Sequence, residues 1–199
     1  MASCRDRNTK FFHRVANLHR KFNTISAIEV DGIRLDSLPE MKSAICDSYK
    51  ALYTKAEIWR PLTDGLPLNQ LRVVDRDSLE LPFTEQEVLK ALSECCGDKA
   101  PGPDGMTMAF LKHNWVTFKD DVMKMFAEFF ITGKFVASLN STFIALIPKK
   151  AGAIDIKDYR PISLVGSMYK LLSKVLARRL KGVIGSLISE NQNAFVGGR

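Results

Sequence analysis

Thr142-Phe143-Ile144-Ala145-Leu146-Ile147-Pro148-Lys149-Lys150 is followed, eight residues later, by Tyr159-Arg160-Pro161-Ile162-Ser163-Leu164-Val165. Bulky and β-branched side chains fill the first run. They predict a short buried strand over Thr142 to Ile147, stopped by Pro148. Ile162 to Val165 is short and apolar in its turn, and Lys149 to Pro161 reads as a polar, basic connection. Pro161 fixes its own φ and disfavours helix at Arg160. That would help to aim Arg160 out of the loop, and it is also what any loop-to-strand junction can use.

Downstream, Ser167 is placed to cap a helix running to about Ile184. Met168, Leu171, Leu172, Val175, Leu176 and Leu180 form its buried side. Lys170, Lys174, Arg178 and Lys181, spaced four, four and three, form one basic stripe, with Arg179 off it. Such a stripe either tracks a phosphate backbone or solubilises a helix face. Upstream, a long helix is predicted from about Met108 to Ile131. Gly97 to Gly105 is a loop in which Gly102-Pro103-Asp104-Gly105 reads as a rigid turn, Asp104 accepting backbone amides. It lacks the pattern of a phosphate-binding loop. Thr84 and Glu87 form a capping box, the hydroxyl taking a free helix amide and the carboxylate reaching back.

Residues 59–82, broken by Pro61, Gly65, Pro67 and Pro82, read as a loop or linker with a short helical piece near 69–79. Before it come a helix over Pro39 to Tyr53 and a strand pair over Thr24 to Leu35 that turns at Asp31-Gly32. The first segment, Arg5 to Phe22, carries apolar residues at helical spacing. The predicted fold class is α+β, mainly helical, with short β-hairpins.

The 199 residues are 46% hydrophobic and 26% charged, a globular composition that excludes a wholly disordered tail or a collagen. The longest apolar run, Phe143 to Pro148, is far below the roughly 18 residues of a membrane span, so no membrane partner is expected. The N-terminus carries no apolar stretch behind its charges, so the protein is expected not to be secreted but intracellular, in cytoplasm or nucleus. Cys4, Cys46, Cys95 and Cys96 have no Cys-x-x-Cys spacing, and His13, His19 and His113 have no metal-like spacing. Reduced thiols and no metal site are expected.

The net charge of +7 is segregated: residues 1–22 carry +5, 23–133 carry −6, 134–181 carry +8 and 182–199 balance. Two basic segments around an acidic middle fit a polyanionic partner, as they also fit well-solvated surface faces.

Three blocks carry a family resemblance: Asp98-Lys99-Ala100-Pro101-Gly102-Pro103-Asp104-Gly105; then Phe143 to Lys150 with Tyr159 to Leu164; then Gln192-Asn193-Ala194-Phe195-Val196-Gly197-Gly198-Arg199. In order and spacing they resemble the N-terminal half of the reverse transcriptase of non-LTR (LINE-type) retrotransposons, most like those of plant genomes. Arg5-Asp6-Arg7-Asn8-Thr9-Lys10-Phe11-Phe12-His13 resembles the segment joining endonuclease to polymerase in such elements.

The resemblance implies a partial right-hand polymerase: a connector over 1–58, a linker over 59–82, and an N-terminal extension with fingers over 83–199, lacking most of the palm. It implies RNA template and DNA primer as partners. Lys149 and Arg160 would contact the incoming dNTP when a palm is present, Lys150 being ambiguous with Lys149. A guanidinium and an ammonium there would hold phosphate oxygens and offset charge on the transferring group. Gln192, Phe195 and Arg199 match a template-side motif, although Phe195 also suits a core. Arg5, Arg7, Arg14, Arg20 and Lys21 are candidates for RNA contact. Phe11, Phe12 and Phe22 beside them need packing partners.

Polymerase chemistry requires two divalent ions on close carboxylates. The family places these in palm strands that follow the blocks quoted. Asp120-Asp121 is the only Asp-Asp here, inside a helical pattern, and takes no catalytic or metal role. No cofactor is expected for this chain, Mg2+ belonging to the complete polymerase, and the chain alone is expected to be inactive. A non-enzymatic RNA-binding module, or a functionless remnant, are the alternatives. The ending Gly197-Gly198-Arg199 does not read as a domain terminus.

Overall fold

The computed structural model describes residues 10–54, Trp59, Leu62, Asp64, Gly65 and 69–188. Among the described residues the fold is mixed α/β and 55% helical, with short antiparallel strand pairs. The chain forms two compact units, Met1–Arg60 with Leu146–Arg160, and Pro61–Ala145 with Pro161–Arg199.

In the first unit, helix α1 (Lys10–Asn23) precedes strands β1 (Ile28–Val30) and β2 (Ile33–Leu35), which pair antiparallel with Val30 opposite Ile33. Asp31 (φ 52°) and Gly32 (φ 81°) make the turn. Positive φ at both central residues matches the twist of the flanking strands. Helix α2 (Leu38–Tyr53) carries Pro39 in its first turn, where a missing N–H leaves no bond unmade. Ile28, Met41, Ile156 and Tyr159 are the buried centre of this unit.

Two of those four come from the stretch read as a polar connection. Asp155 opens a 3-10 turn, Ile156–Asp158, by accepting from the Lys157 amide at 2.8 Å. The Tyr159 hydroxyl donates to the Ala153 carbonyl at 2.8 Å. The Glu29 amide of β1 donates to the Ile154 carbonyl at 2.8 Å. Charged residues between Ile154, Ile156 and Tyr159 hide these contacts from any hydropathy reading.

The second unit contains α3 (Val73–Leu79), α4 (Glu85–Glu94), α5 (Met108–His113) and α6 (Trp115–Thr132). Strand β3 (Thr142–Pro148) pairs with β4 (Tyr159–Val165), and helix α7 (Ser167–Leu187) follows. The division of residues between the units falls within both strands, after Ala145 and after Arg160. The core gathers Val88, Ala91 and Leu92 of α4, Met108 and Leu111 of α5, Trp115, Val122 and Phe126 of α6, and Leu171, Leu172 and Val175 of α7.

Several expectations need correction. The helix over 108–131 is two helices, divided at Asn114. The Asn114 side chain and backbone amides both donate to the Phe110 carbonyl, at 2.9 and 3.1 Å, while its own carbonyl starts α6. The capping box at α4 is half formed: Thr84 Oγ1 accepts from the Glu87 amide at 3.2 Å, but the Glu87 carboxylate is taken by Arg179. Ser167 is not the cap of α7. Gly166 is, and Ser167 is the first helical residue. Leu176 and Leu180 are exposed, unlike the other apolar residues expected on the buried side of α7. Strand β3 is not buried either: Phe143, Ile144 and Ile147 are 58%, 48% and 49% exposed. Among the described residues β3 has β4 as its one sheet neighbour, and a lone strand pair leaves much of its surface to solvent.

Candidate nucleic-acid interface

The β3–β4 pair ends in the basic tip predicted to meet phosphate. The Lys149 amide donates to the Asp158 carbonyl at 2.8 Å, continuing the pairing past Pro148. Lys149 Nζ donates to the Lys157 carbonyl at 2.6 Å. Lys150 pairs with the Asp158 carboxylate at 2.8 Å, a hydrogen bond that raises its pKa. Arg160 lies on β4 and is exposed, with no ion-pair partner among the described residues. The tip therefore presents one free guanidinium and one ammonium on a main-chain tether.

The loop 98–105 is a structural clamp. Asp104 Oδ1 accepts from the Met106 amide at 3.2 Å. Its Oδ2 accepts from the Ser167 amide at 2.5 Å and from Ser167 Oγ at 2.6 Å. Asp104 thus serves the first turn of α7 from 63 residues away, placing negative charge at the positive end of the helix. Gly102 lies against the chain that leads into α7: a β carbon there would stand 2.4 Å from the Val165 carbonyl carbon.

On α7 the basic stripe is partly engaged. Lys170 Nζ donates to the Ala100 carbonyl at 3.0 Å. Lys174 lies 3.6 Å from Glu94, which Arg178 also pairs. Lys181 is exposed. Lys174, Arg178 and Lys181 line an open groove of about 490 Å³ together with Glu94, Ala177 and Gly182.

Arg179, which lies off the stripe, is the most heavily bonded cation among the described residues. It makes a bidentate pair with Glu87 at 2.6 and 2.7 Å. It donates to the carbonyls of Leu79, Leu81 and Pro82 at 3.0, 2.6 and 3.1 Å, and stacks 4.2 Å from the centre of the Phe83 ring. No local sequence signal marks this pair, since Glu87 and Arg179 are 92 residues apart.

Of the N-terminal candidates, Arg14 and Arg20 lie exposed on α1, while Arg5 and Arg7 lie outside the described residues. Gln192, Phe195 and Arg199 lie outside them too. Phe11 and Phe12 are exposed and pack edge to face on each other, 5.5 Å between centres. Asp121 is an exposed residue of α6 paired with Lys124 at 3.5 Å. The Cys95 thiol donates to the Ala91 carbonyl and burial pushes its pKa up, the opposite of a reactive thiolate. Among the described residues no three His, Cys, Asp or Glu side chains converge to hold a metal ion. No described helix is long and apolar enough to cross a membrane.

Comparison with known proteins gives these residues a context. No protein-family model matches the chain. It is 31% identical over 199 residues to an uncharacterized 149 kDa protein of transposon TX1 from Xenopus laevis, covering 98% of this chain and 15% of that protein. It is 28% identical over 115 residues to the retrovirus-related Pol polyprotein of type-1 retrotransposable element R2 from Nasonia vitripennis, covering 58% of this chain and 10% of the polyprotein. The Pol polyprotein of element R1 from Bradysia coprophila is 22% identical over 183 residues, covering 90% of this chain and 17% of the polyprotein. The homologues of this chain are polyproteins of non-LTR, LINE-type retrotransposons. The chain spans less than a fifth of their length.

Proposed function

We propose that this chain is the connector, N-terminal extension and fingers of a LINE-type reverse transcriptase. Residues 1–58 form the connector, 59–82 a linker and 83–199 the extension and fingers. In the whole polymerase Arg160 and Lys149 grip the triphosphate of the incoming dNTP. The basic residues of α7 and α1, with Gln192, Phe195 and Arg199, lie along the RNA template and DNA primer. The observation that carries this reading is the tip of the β3–β4 pair. Arg160 is exposed there, and Lys149 is tethered only to a main-chain carbonyl that a phosphate oxygen can replace. Charge-assisted bonds to phosphate are stronger than the bond they replace.

The chain by itself does not polymerise, because the metal-binding carboxylates belong to the palm. Primer extension on an RNA template by the pure chain is expected to give no product at any Mg2+ concentration. Incorporation above a heat-killed control would overturn that. In a full-length polyprotein carrying this segment, Arg160→Ala should raise the KM for dNTP about tenfold and leave RNA affinity unchanged. An unchanged KM would remove Arg160 from the site.

A second reading, an RNA-binding module without catalysis, draws on the α7 groove, whose exposed Lys181 lies beside Lys174 and Arg178. It requires RNA affinity of the pure chain to fall with salt, by roughly 0.7 log units per log unit for each phosphate neutralised on a single strand.

A further inference from the structure

The groove on α7 holds a counter-charge that a plain basic stripe does not need. Lys174 and Arg178 both turn onto one carboxylate, that of Glu94, the last residue of α4. Lys174 Nζ lies 3.6 Å from Glu94 Oε2, and Arg178 Nη1 donates to Oε1. The side chains stay open to water, with Lys174 38%, Arg178 27% and Glu94 41% exposed. Lys181 lines the same groove without an ion pair among the described residues. The remaining lining is small: Ala177 and Gly182. A β carbon at Gly182 would meet nothing within 4 Å, so the groove is open above the helix backbone.

We infer that Glu94 is a built-in phosphate mimic, holding Lys174 and Arg178 until the phosphodiester backbone of a nucleic-acid strand displaces it. A carboxylate gripped by an arginine and a lysine offers two anionic oxygens in the manner of a phosphodiester. The cations at 174, 178 and 181 stand in line over about 10 Å of helix, a span suited to a linear polyanion rather than a single ion. An ion pair this exposed adds little to stability, so exchanging it is easy. Binding must first break the two Glu94 pairs, and that cost holds affinity down and favours release. Lys170 stays outside the exchange because its ammonium is bonded to the Ala100 carbonyl.

This inference rests on reading the α7 stripe as a nucleic-acid contact, and its test separates the two. RNA binding by the full chain is measured by fluorescence anisotropy on a single strand of about 20 nucleotides at low salt. The proteins are the wild type, Glu94→Gln, the double variant Lys174→Ala/Arg178→Ala and the triple variant, each checked by thermal melting. Glu94→Gln, which keeps shape and loses charge, should bind RNA about two- to fivefold tighter. The double variant should bind more weakly, and adding Glu94→Gln to it should change nothing, as a coupled cycle demands. If the double variant binds like the wild type, the stripe is not a nucleic-acid contact and the mimic falls with it. If it weakens but Glu94→Gln equals the wild type, the stripe stands and the mimic alone is overturned. An equal gain from Glu94→Gln in both backgrounds is a general charge effect and also overturns the mimic. Inorganic phosphate should compete no better than chloride at equal ionic strength. Selective displacement by phosphate would mark a single-anion pocket and overturn the strand assignment.

Discussion

Arg160 and Arg179 belong to the same basic segment and behave as opposites. Arg179 is 12% exposed and spends its donors on Glu87 and three carbonyls of the chain before α4. Arg160 stands exposed on β4. The difference does not lie in the arginines. It lies in what each backbone position faces. Pro82 and the turn ending α3 leave unpaired carbonyls within reach of α7, and a planar five-donor fork is suited to collecting them. Among the described residues the guanidinium of Arg160 finds no such acceptors. Charge held inside the fold is structural, and charge that the fold leaves unanswered is available to a ligand.

Removing the held charge should have the largest effect. Arg179→Ala leaves the Glu87 carboxylate and three carbonyls without their donor, and should destabilise the chain by about 2–4 kcal/mol, read from urea unfolding. A loss under half a kilocalorie would put Arg179 in the same class as Arg160.

The charge of Asp104 in the loop 98–105 is likewise consumed by the fold. Gly102→Ala drives a β carbon into the Val165 main chain and should destabilise by about 1–3 kcal/mol. Wild-type stability in this variant would mean that the loop is not clamped to the start of α7.

Near the tip, Tyr159 is the buried neighbour of Arg160. Burial pushes its hydroxyl pKa above the usual value near 10. The folded state therefore holds this proton more tightly than the unfolded state. The stabilisation is complete below pH 10 and is lost as pH rises through the folded-state pKa. Tyr159→Phe should lower stability by about 0.5–1.5 kcal/mol at neutral pH, through the lost bond to Ala153, and should flatten this alkaline decline. A decline of the same steepness in Tyr159→Phe would assign it to other groups.

The smallest effect belongs to the free charge. Arg160→Ala should change unfolding free energy by less than about 0.5 kcal/mol, despite removing the same group as Arg179→Ala. A large loss would show that Arg160 is a structural residue.

The elements were largely legible in the sequence. The turn at Asp31-Gly32, the Thr84 cap, Pro39 opening α2 and the strand ending at Pro148 all rest on local stereochemistry that neighbouring residues specify. The Gly102 to Gly105 turn was legible too, but its purpose was not. Asp104 is complete only with Ser167, and no local rule links residues 63 positions apart. Reading 108–131 as one helix failed because the periodicity is nearly continuous through Asn114, while a single side chain ends one ladder and its carbonyl begins the next.

Residue type and spacing along the chain fix most of the helices and strands, the segregation of charge and the residues that carry the LINE-type resemblance. Which charges are consumed depends on the folded arrangement. Whether Glu87 reaches back to its own helix or across to Arg179, and whether Glu94 neutralises Lys174 and Arg178, is settled by which donors the fold brings within about 3–4 Å. Hydrogen bonds and ion pairs act at that range, and sequence distance carries no information about it.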